Sequence, residues 1–242
     1  MALAPARHRH ESGGVRKRPI SVIVTAMVVV GALGVVVGRQ WRSTPTPTTI
    51  TPTPSTTVTA QPITAIWPFA TTVTRFADPV LAAQAFATSY LGFVDPIVGG
   101  FRHGDRRSGE VPIQATPAGP VTTVLVRELT PDNSWWVLGA SCPDVTVTVP
   151  STGGRLTSPF VVRGWSTSFE GVVTVDVLQD GSRTPLASGV VRGGSMGVLG
   201  PFNSVIAFSS PSSSAGALLF RILAARDGHV VQASAMRVLL AR

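Results

Sequence analysis

The densest run of reactive side chains is the glycine-flanked stretch from Gly99 to Glu110, which holds Arg102, His103, Asp105, Arg106, Arg107, Ser108 and Glu110. A serine hydrolase needs a base within hydrogen-bond reach of its nucleophile, oriented by a buried acid, and a rigid scaffold brings these parts together from separate elements. Here His103, Asp105 and Ser108 crowd into six positions, and Ser108 stands in no nucleophile-elbow pattern. Anion recognition suits the stretch better than catalysis. Arg102, Arg106 and Arg107 carry guanidinium forks that pair bidentately with phosphate or carboxylate, for example on a cell-wall polymer. Asp105 and Glu110 supply the other reading, in which the arginines are neutralised internally and the loop is simply solvated.

Other constellations are sparser. Of the four histidines, His8 and His10 lie in the basic head, and His103 and His229 are distant singles with only Cys142 to join them, so no metal-ligand set is expected. Gly193-Gly194 and Gly197 lack the strand-to-helix setting of a phosphate-binding loop, and no cofactor is expected. Trp135-Trp136 on a strand point to opposite faces: one indole enters the core, and the other, Trp136, either covers the second face or meets a ligand. Cys142 is the sole cysteine, which rules out an intramolecular disulfide. It reads as a small, partly buried apolar residue or, in the sharper alternative, as an intermolecular disulfide.

The formal charge of +8 suggests nucleic acid, but its distribution argues against it. Residues 1–42 hold seven Arg or Lys and one acid, for +6, and residues 43–242 hold thirteen Arg and eleven acids, for +2. A nucleic-acid interface concentrates its cations within the folded part.

The basicity belongs to membrane topology. Residues 20–38 carry no charge and, as one helix, rise about 28 Å, close to the ~30 Å hydrocarbon core of a bilayer. Five Arg and Lys precede the run, against Glu11 alone, so the positive-inside bias places head 1–19 in the cytoplasm and 39–242 outside. A cleavable signal peptide is the competing reading, but its apolar region is shorter and ends in a small-x-small site that Val35 to Trp41 do not offer. Residues 39–63 form a stalk. From Ser43 to Ile63 there are nine Thr, five Pro and two Ser, a composition that favours extended polyproline geometry and reaches about 65 Å. It fits either an O-glycosylated stalk or an unmodified linker.

Two elements are expected beyond the stalk. Residues 64–143 read as a small α+β domain, a helix on an antiparallel sheet. Asp78-Pro79 starts the helix, Gly92 stops it, and Ala83, Phe86, Tyr90 and Phe93 form its apolar stripe. Strands are expected at Val111–Ala115, Val121–Glu128 and Trp135–Ala140. In residues 144–242 β-branched alternation takes over, as in Val145, Val147 and Val149 or Val173, Val175 and Val177, and Asp180-Gly181 and Asp227-Gly228 mark tight hairpins. About seven short strands point to an all-β sandwich, and the missing cysteine pair excludes a disulfide-bonded antibody-type domain.

The phrases Ser158-Pro159-Phe160-Val161-Val162-Arg163-Gly164, Phe169-Glu170-Gly171, Gly200-Pro201-Phe202 and Arg226-Asp227-Gly228 resemble the immunoglobulin-like domain of bacterial spore germination proteins, the Gmad type. The resemblance covers roughly Val145 to Leu240. It implies an extracytoplasmic β-sandwich module of a bacterial envelope protein and brings no catalytic residues with it. Within such a module Ser158-Pro159 introduces a strand at an edge, Phe169 fills the core, Glu170 accepts turn amides and Gly171 permits a tight entry to the next strand; the alternative for Phe169, Glu170 and Gly171 is a binding epitope.

The sequence therefore reads as a multidomain, single-pass membrane protein, not an enzyme, that works outside the cell as a binding or scaffolding module. Its expected partners are the membrane, through 20–38, and a cell-wall glycan or envelope protein, with no nucleic acid. The alternative is an accessory to a cell-wall enzyme, with residues 64–143 binding glycan or another anionic ligand.

Overall fold

The computed structural model describes residues 64–69, 72–130 and 132–241. The expected head 1–19, membrane span 20–38 and stalk 39–63 lie outside the described residues. Among the described residues no helix is long and apolar enough to cross a membrane.

The helix begins and ends where its cap residues direct. Asp78 is extended at φ −125°, and its Oδ1 accepts the amides of Val80 and Leu81 at 2.7 and 3.0 Å, which satisfies two of the open donors of the first turn. Helix α1 (Pro79–Phe86) continues as a π-helical turn, Ala87–Leu91, and stops at Gly92, whose φ of 89° disfavours any residue with a Cβ. The stripe Ala83, Phe86, Tyr90 and Phe93 is buried throughout. It packs on strands β1 (Ile97–Val98), β2 (Arg102–His103), β3 (Ser108–Gln114), β4 (Thr122–Leu129) and β5 (Ser134–Ser141), where Val111, Ile113, Val124, Val126 and Val137 line its core.

Nine strands follow: β6 (Val145–Val149), β7 (Arg155–Leu156), β8 (Phe160–Ser168), β9 (Val172–Gln179), β10 (Ala187–Arg192), β11 (Gly194–Ser195), β12 (Gly200–Ile206), β13 (Ala215–Leu223) and β14 (Val230–Leu240). Seven are full strands, and β7 and β11 are two-residue pairings. Gly181 and Gly228 take the positive φ that their Asp-Gly pairs anticipate, 83° and 72°. The connections are longer than tight hairpins, however, running from 180 to 186 and from 224 to 229. In the first, the Asp180 side chain is drawn inward to Arg237.

The described strands form two sheets. The larger has ten described strands in the order β1-β3-β4-β5-β14-β13-β9-β10, with β2 on β3 and β7 on β14. In the smaller, β8 lies between β6 and β12, and β11 runs beside its end. Strand β8, introduced by Ser158-Pro159, is thus paired on both sides and is not an edge. Pro159 is tolerated because it sits one residue ahead of Phe160, the first residue of the ladder, so no ladder amide is lost.

Period-two alternation gives the larger sheet two buried faces. Val173, Val175, Val177, Leu218, Phe220, Val238 and Leu240 face the smaller sheet. Leu178, Ala217, Leu219, Ala233 and Ala235 join Phe86, Tyr90 and Leu91 in the helix-side core. Strands β5 and β14 meet at Ala140 and Ala235. A Cβ on Gly139 there would stand 2.7 Å from the Ala235 carbonyl oxygen, so the close approach requires glycine. The Thr122 hydroxyl accepts the Ala233 amide at 3.0 Å, and the Ser234 hydroxyl donates to the Ala140 carbonyl at 3.1 Å.

Charged groups are buried beside Tyr90. Arg237 Nη1 donates to Asp180 at 2.6 Å and to the Gly216 carbonyl at 3.1 Å, Arg221 pairs with Asp176, and the Ser188 hydroxyl donates to Asp176 at 2.6 Å. Burial pushes the Tyr90 phenol well above its ordinary value. Asp180 adds to the shift, Arg237 opposes it and Asp176 adds again. Tyr90 is the only tyrosine, which makes this directly measurable. The folded phenol holds its proton more tightly than the unfolded chain, whose tyrosine ionises near pH 10. Stability is therefore full below about pH 10 and falls as pH rises above it. Tyrosinate absorbance is expected to appear only with unfolding, and Tyr90→Phe is expected to remove this component of the alkaline loss. A native-state midpoint near 10 would contradict the assignment.

Candidate functional site

The arginine-rich stretch forms the β2–β3 hairpin. Arg102 lies opposite Glu110 in register, and Arg102 and Arg106 are exposed. Arg107 is held by Glu128 at 3.5 Å and by the Asn133 side-chain oxygen at 3.0 Å. The amide of Arg107 donates to Asp105 at 2.7 Å, and this bond, followed by one from the Ser108 hydroxyl, holds the Asp105 carboxyl below its ordinary range. His103 packs edge-on against Phe101, with ring centroids 4.5 Å apart. The hairpin thus brings Ser108 to Asp105, and Arg102 and Arg106 are the arginines it leaves on the surface.

Trp136 is 1% exposed, with the Arg75 guanidinium 4.8 Å over its ring. Of the two readings of this indole, packing against the sheet is the one the structure shows, because a covered ring offers no face to a ligand. Trp135 packs against the helix-side core and edge-on to Phe101 at 5.1 Å. Cys142 is buried in the sandwich core, and burial pushes its thiol up to about 12, which keeps it in the unreactive neutral form.

One end of the sandwich is built differently. Three connections gather there: the β8–β9 turn, the glycine-flanked segment from Gly193 to Leu199, and the β13–β14 loop. The amide of Gly193 donates to the Gly171 carbonyl at 2.9 Å and that of Met196 to the Ser168 carbonyl at 3.1 Å, which locks the first two together. Phe169, expected in the core, is 64% exposed. The turn explains the difference. Ser168 ends β8, Gly171 at φ 71° reverses the chain, and the Ser168 hydroxyl donates to the Val172 carbonyl at 3.0 Å, leaving Phe169 at the outer corner. Phe202 and Phe220, with ring centroids 6.4 Å apart, fill the core in its place. Glu170, expected to accept turn amides, is exposed; the Ser168 carbonyl accepts the Gly171 amide instead, at 3.4 Å.

Phe169 stands between two hollows of about 560 and 280 Å³ and lines both, as do Leu223, Ala224 and Ala225. Met196, Ile222 and Val231 complete the apolar wall of the larger one. Met196 is held in the left-handed region at φ 53° with its side chain 70% exposed, a conformation that costs a residue with a Cβ about 1–2 kcal/mol. On the buried side of the larger hollow, Thr167 and Gln232 are 4% and 3% exposed, and Thr167 Oγ1 and Gln232 Oε1 have no hydrogen-bond partner. Asp144 also lines this hollow and accepts a short hydrogen bond from Gln232 Nε2. No Arg, Lys or His lines either hollow. Such an arrangement can bind and orient, but it contains no nucleophile paired with a base. Among the described residues no group of three or more His, Cys, Asp or Glu is placed to hold a metal ion.

Residues 144–229 match the immunoglobulin-like domain of bacterial spore germination, the Gmad2 family. The germination-type segment runs from Asp144 to His229, so it contains Phe169, Met196 and Leu223 and ends just before β14, which brings Gln232. No curated protein and no solved structure matches the chain. Phe169 is marked in the sequence by its place in the germination-type phrase, whereas Met196 belongs to no such phrase. The available signal was the apolar run Met196-Gly197-Val198-Leu199 inside a glycine-rich connection, where no periodic core face exists to receive it.

Because Phe169 contributes nothing to the core, Phe169→Ala is expected to change unfolding stability by no more than about 0.5 kcal/mol. Phe220→Ala, in the core, is expected to cost about 3–5 kcal/mol. Urea denaturation of both variants checks the contrast, and a large loss in Phe169→Ala would place its ring in the core after all.

Proposed function

We propose that the protein is a non-enzymatic recognition module of the bacterial envelope, tethered by residues 20–38 with 39–242 outside the cell, that binds its partner through the Phe169–Met196 end of the germination-type sandwich. The observation that carries this reading is the side-by-side exposure of Phe169 and Met196 above hollows whose buried side holds unpartnered oxygens. Folded domains bury large apolar side chains when their function leaves them free to, and loops on a rigid scaffold are where binding residues collect. The uncharged run at 20–38 and the basic head before it support the tether. The division into a helix-bearing domain at 64–143 and a sandwich at 144–242 belongs to this proposal, with the first as a platform for the second.

A second reading keeps the accessory role, with residues 64–143 binding an anionic glycan. It rests on the exposure of Arg102 and Arg106 on one hairpin.

Two experiments test these readings. Protease added to intact protoplasts expressing the full chain is expected to remove 39–242 and spare the head; a protected sandwich would overturn the tether. Retention of the full chain on purified envelope fractions is expected to fall at least tenfold in Phe169→Asp with Met196→Asp and to persist in Arg102→Ala with Arg106→Ala. The reverse pattern would transfer the function to the hairpin.

A further inference from the structure

The chemistry of the larger hollow defines a class of partner, an inference that rests on the binding role proposed above for the same end. Three features act together. First, the wall is apolar, made by Phe169, Met196, Ile222, Leu223 and Val231, and about 560 Å³ accommodates a bulky side chain with its adjoining backbone. Second, two polar groups on its buried side lack partners: Gln232 Oε1 needs a donor, and the Thr167 hydroxyl is free to accept or to donate. A buried polar atom left in this state destabilises the fold, and a ligand that supplies the missing bond removes that cost. Third, the charge is one-sided. Asp144 lines the larger hollow and Glu170 the smaller, and no basic side chain lines either, although the chain as a whole is at +8.

These features exclude some occupants and select one. A phosphate, a carboxylate or an anionic lipid surface would meet Asp144 and Glu170, and the one arginine of the β13–β14 loop, Arg226, is already paired with Asp227 at 2.9 Å. An oligosaccharide carries hydroxyls around its rim and needs a series of polar side chains, whereas this wall is largely apolar. An extended peptide supplies what is missing, with a large apolar side chain for the wall, a main-chain N–H for Gln232 and a positive charge for the carboxylates.

We infer that this end of the sandwich binds an apolar peptide segment that carries basic residues, its bulky side chain seated against Phe169 and Met196 and a main-chain amide donated to Gln232. Phe169 is the ridge that separates the two hollows, so a segment crossing it places one residue in each. Gln232 and Thr167 read the backbone, and Asp144 and Glu170 set the charge preference.

The test is selection from a displayed library of random twelve-residue peptides on the immobilised full chain, followed by anisotropy with the recovered sequences. The expected result is enrichment of peptides with Phe, Leu, Ile or Trp beside Lys or Arg, with binding at least tenfold weaker to Phe169→Ala. Glu170→Lys, at an exposed position, is expected to weaken basic peptides and leave neutral ones unchanged. Gln232→Leu is expected to weaken all of them, but because Gln232 is buried, the two exposed variants carry the decision if it fails to fold. Enrichment of acidic peptides, or binding indifferent to Phe169 and Glu170, would overturn the inference. A chitin-type oligosaccharide and phosphatidylglycerol vesicles serve as the other arms. Phe169-dependent binding of either would keep this end as the binding surface and sink the peptide. Phe169-independent behaviour of every probe would sink the binding role too.

Discussion

The antiparallel pair β13–β14 is the constraint on which the rest of the structure depends, because it is buried on both faces. Leu218 and Phe220 look into the sandwich while Ala217 and Leu219 look toward the helix, and Val238 and Ala235 divide in the same way on the neighbouring strand. A strand covered on one side can place polar residues freely on the other, whereas one covered on both sides is largely apolar, and the arginines these two carry, Arg221 and Arg237, are each paired with an aspartate. The size of each side chain is therefore fixed by two cores at once: Phe220 and Leu218 toward the open sandwich, alanines toward the close approach of β5. Gly139 and Ala140 are small for the same reason, since β5 and β14 meet there.

The same face carries the buried charges, and their arrangement shows how such a pair is tolerated. Arg237 is 5% exposed and would be costly alone, but it has both Asp180 and the Gly216 carbonyl. A buried ion pair contributes little net stability over an apolar pair, yet removing one member strands the other at about 3–5 kcal/mol. Asp180 and Asp176 thus act as restraints that hold the β9–β10 edge in one register against β13 and β14. Tyr90, from the helical side, sits in their field and is kept protonated by burial.

Exposed apolar side chains, left-handed non-glycine residues and unpartnered buried polar atoms occur singly elsewhere, as at Val205, Ala118 and Arg237, but the end of the sandwich that carries Phe169 brings all three kinds together. Large apolar side chains lie outside, a residue with a Cβ takes a left-handed conformation, and buried oxygens go unpaired. Each departure costs stability, and here the three kinds adjoin on loops braced by β8, β13 and β14. A rigid sheet can hold such loops in a strained state because its own stability comes from elsewhere, which is how recognition surfaces are carried on sandwiches.

Local elements were legible along the chain. Asp78-Pro79 and Gly92 bounded the helix, alternating valines marked β6 and β9, and the Asp-Gly pairs gave positive φ where turns were needed, because caps, period and turn geometry depend on neighbours along the chain. The germination-type phrases marked the matched segment for a similar reason, since two lie in turns, at Phe169-Glu170-Gly171 and Arg226-Asp227-Gly228, and two open strands β8 and β12. Which of two faces a residue serves, and which strands become partners, was settled by long-range packing. Phe169 in a fold-making phrase was indistinguishable from a core residue until the turn after Ser168 put it outside. Trp136 was open between a ligand and the sheet until Arg75 covered it. The pairing of β5 with β14, residues almost a hundred positions apart, and the meeting of Thr167 with Gln232 beneath one hollow leave no trace in local spacing. They arise from the closure of two cores around a shared sheet, a long-range condition that no short window of sequence contains.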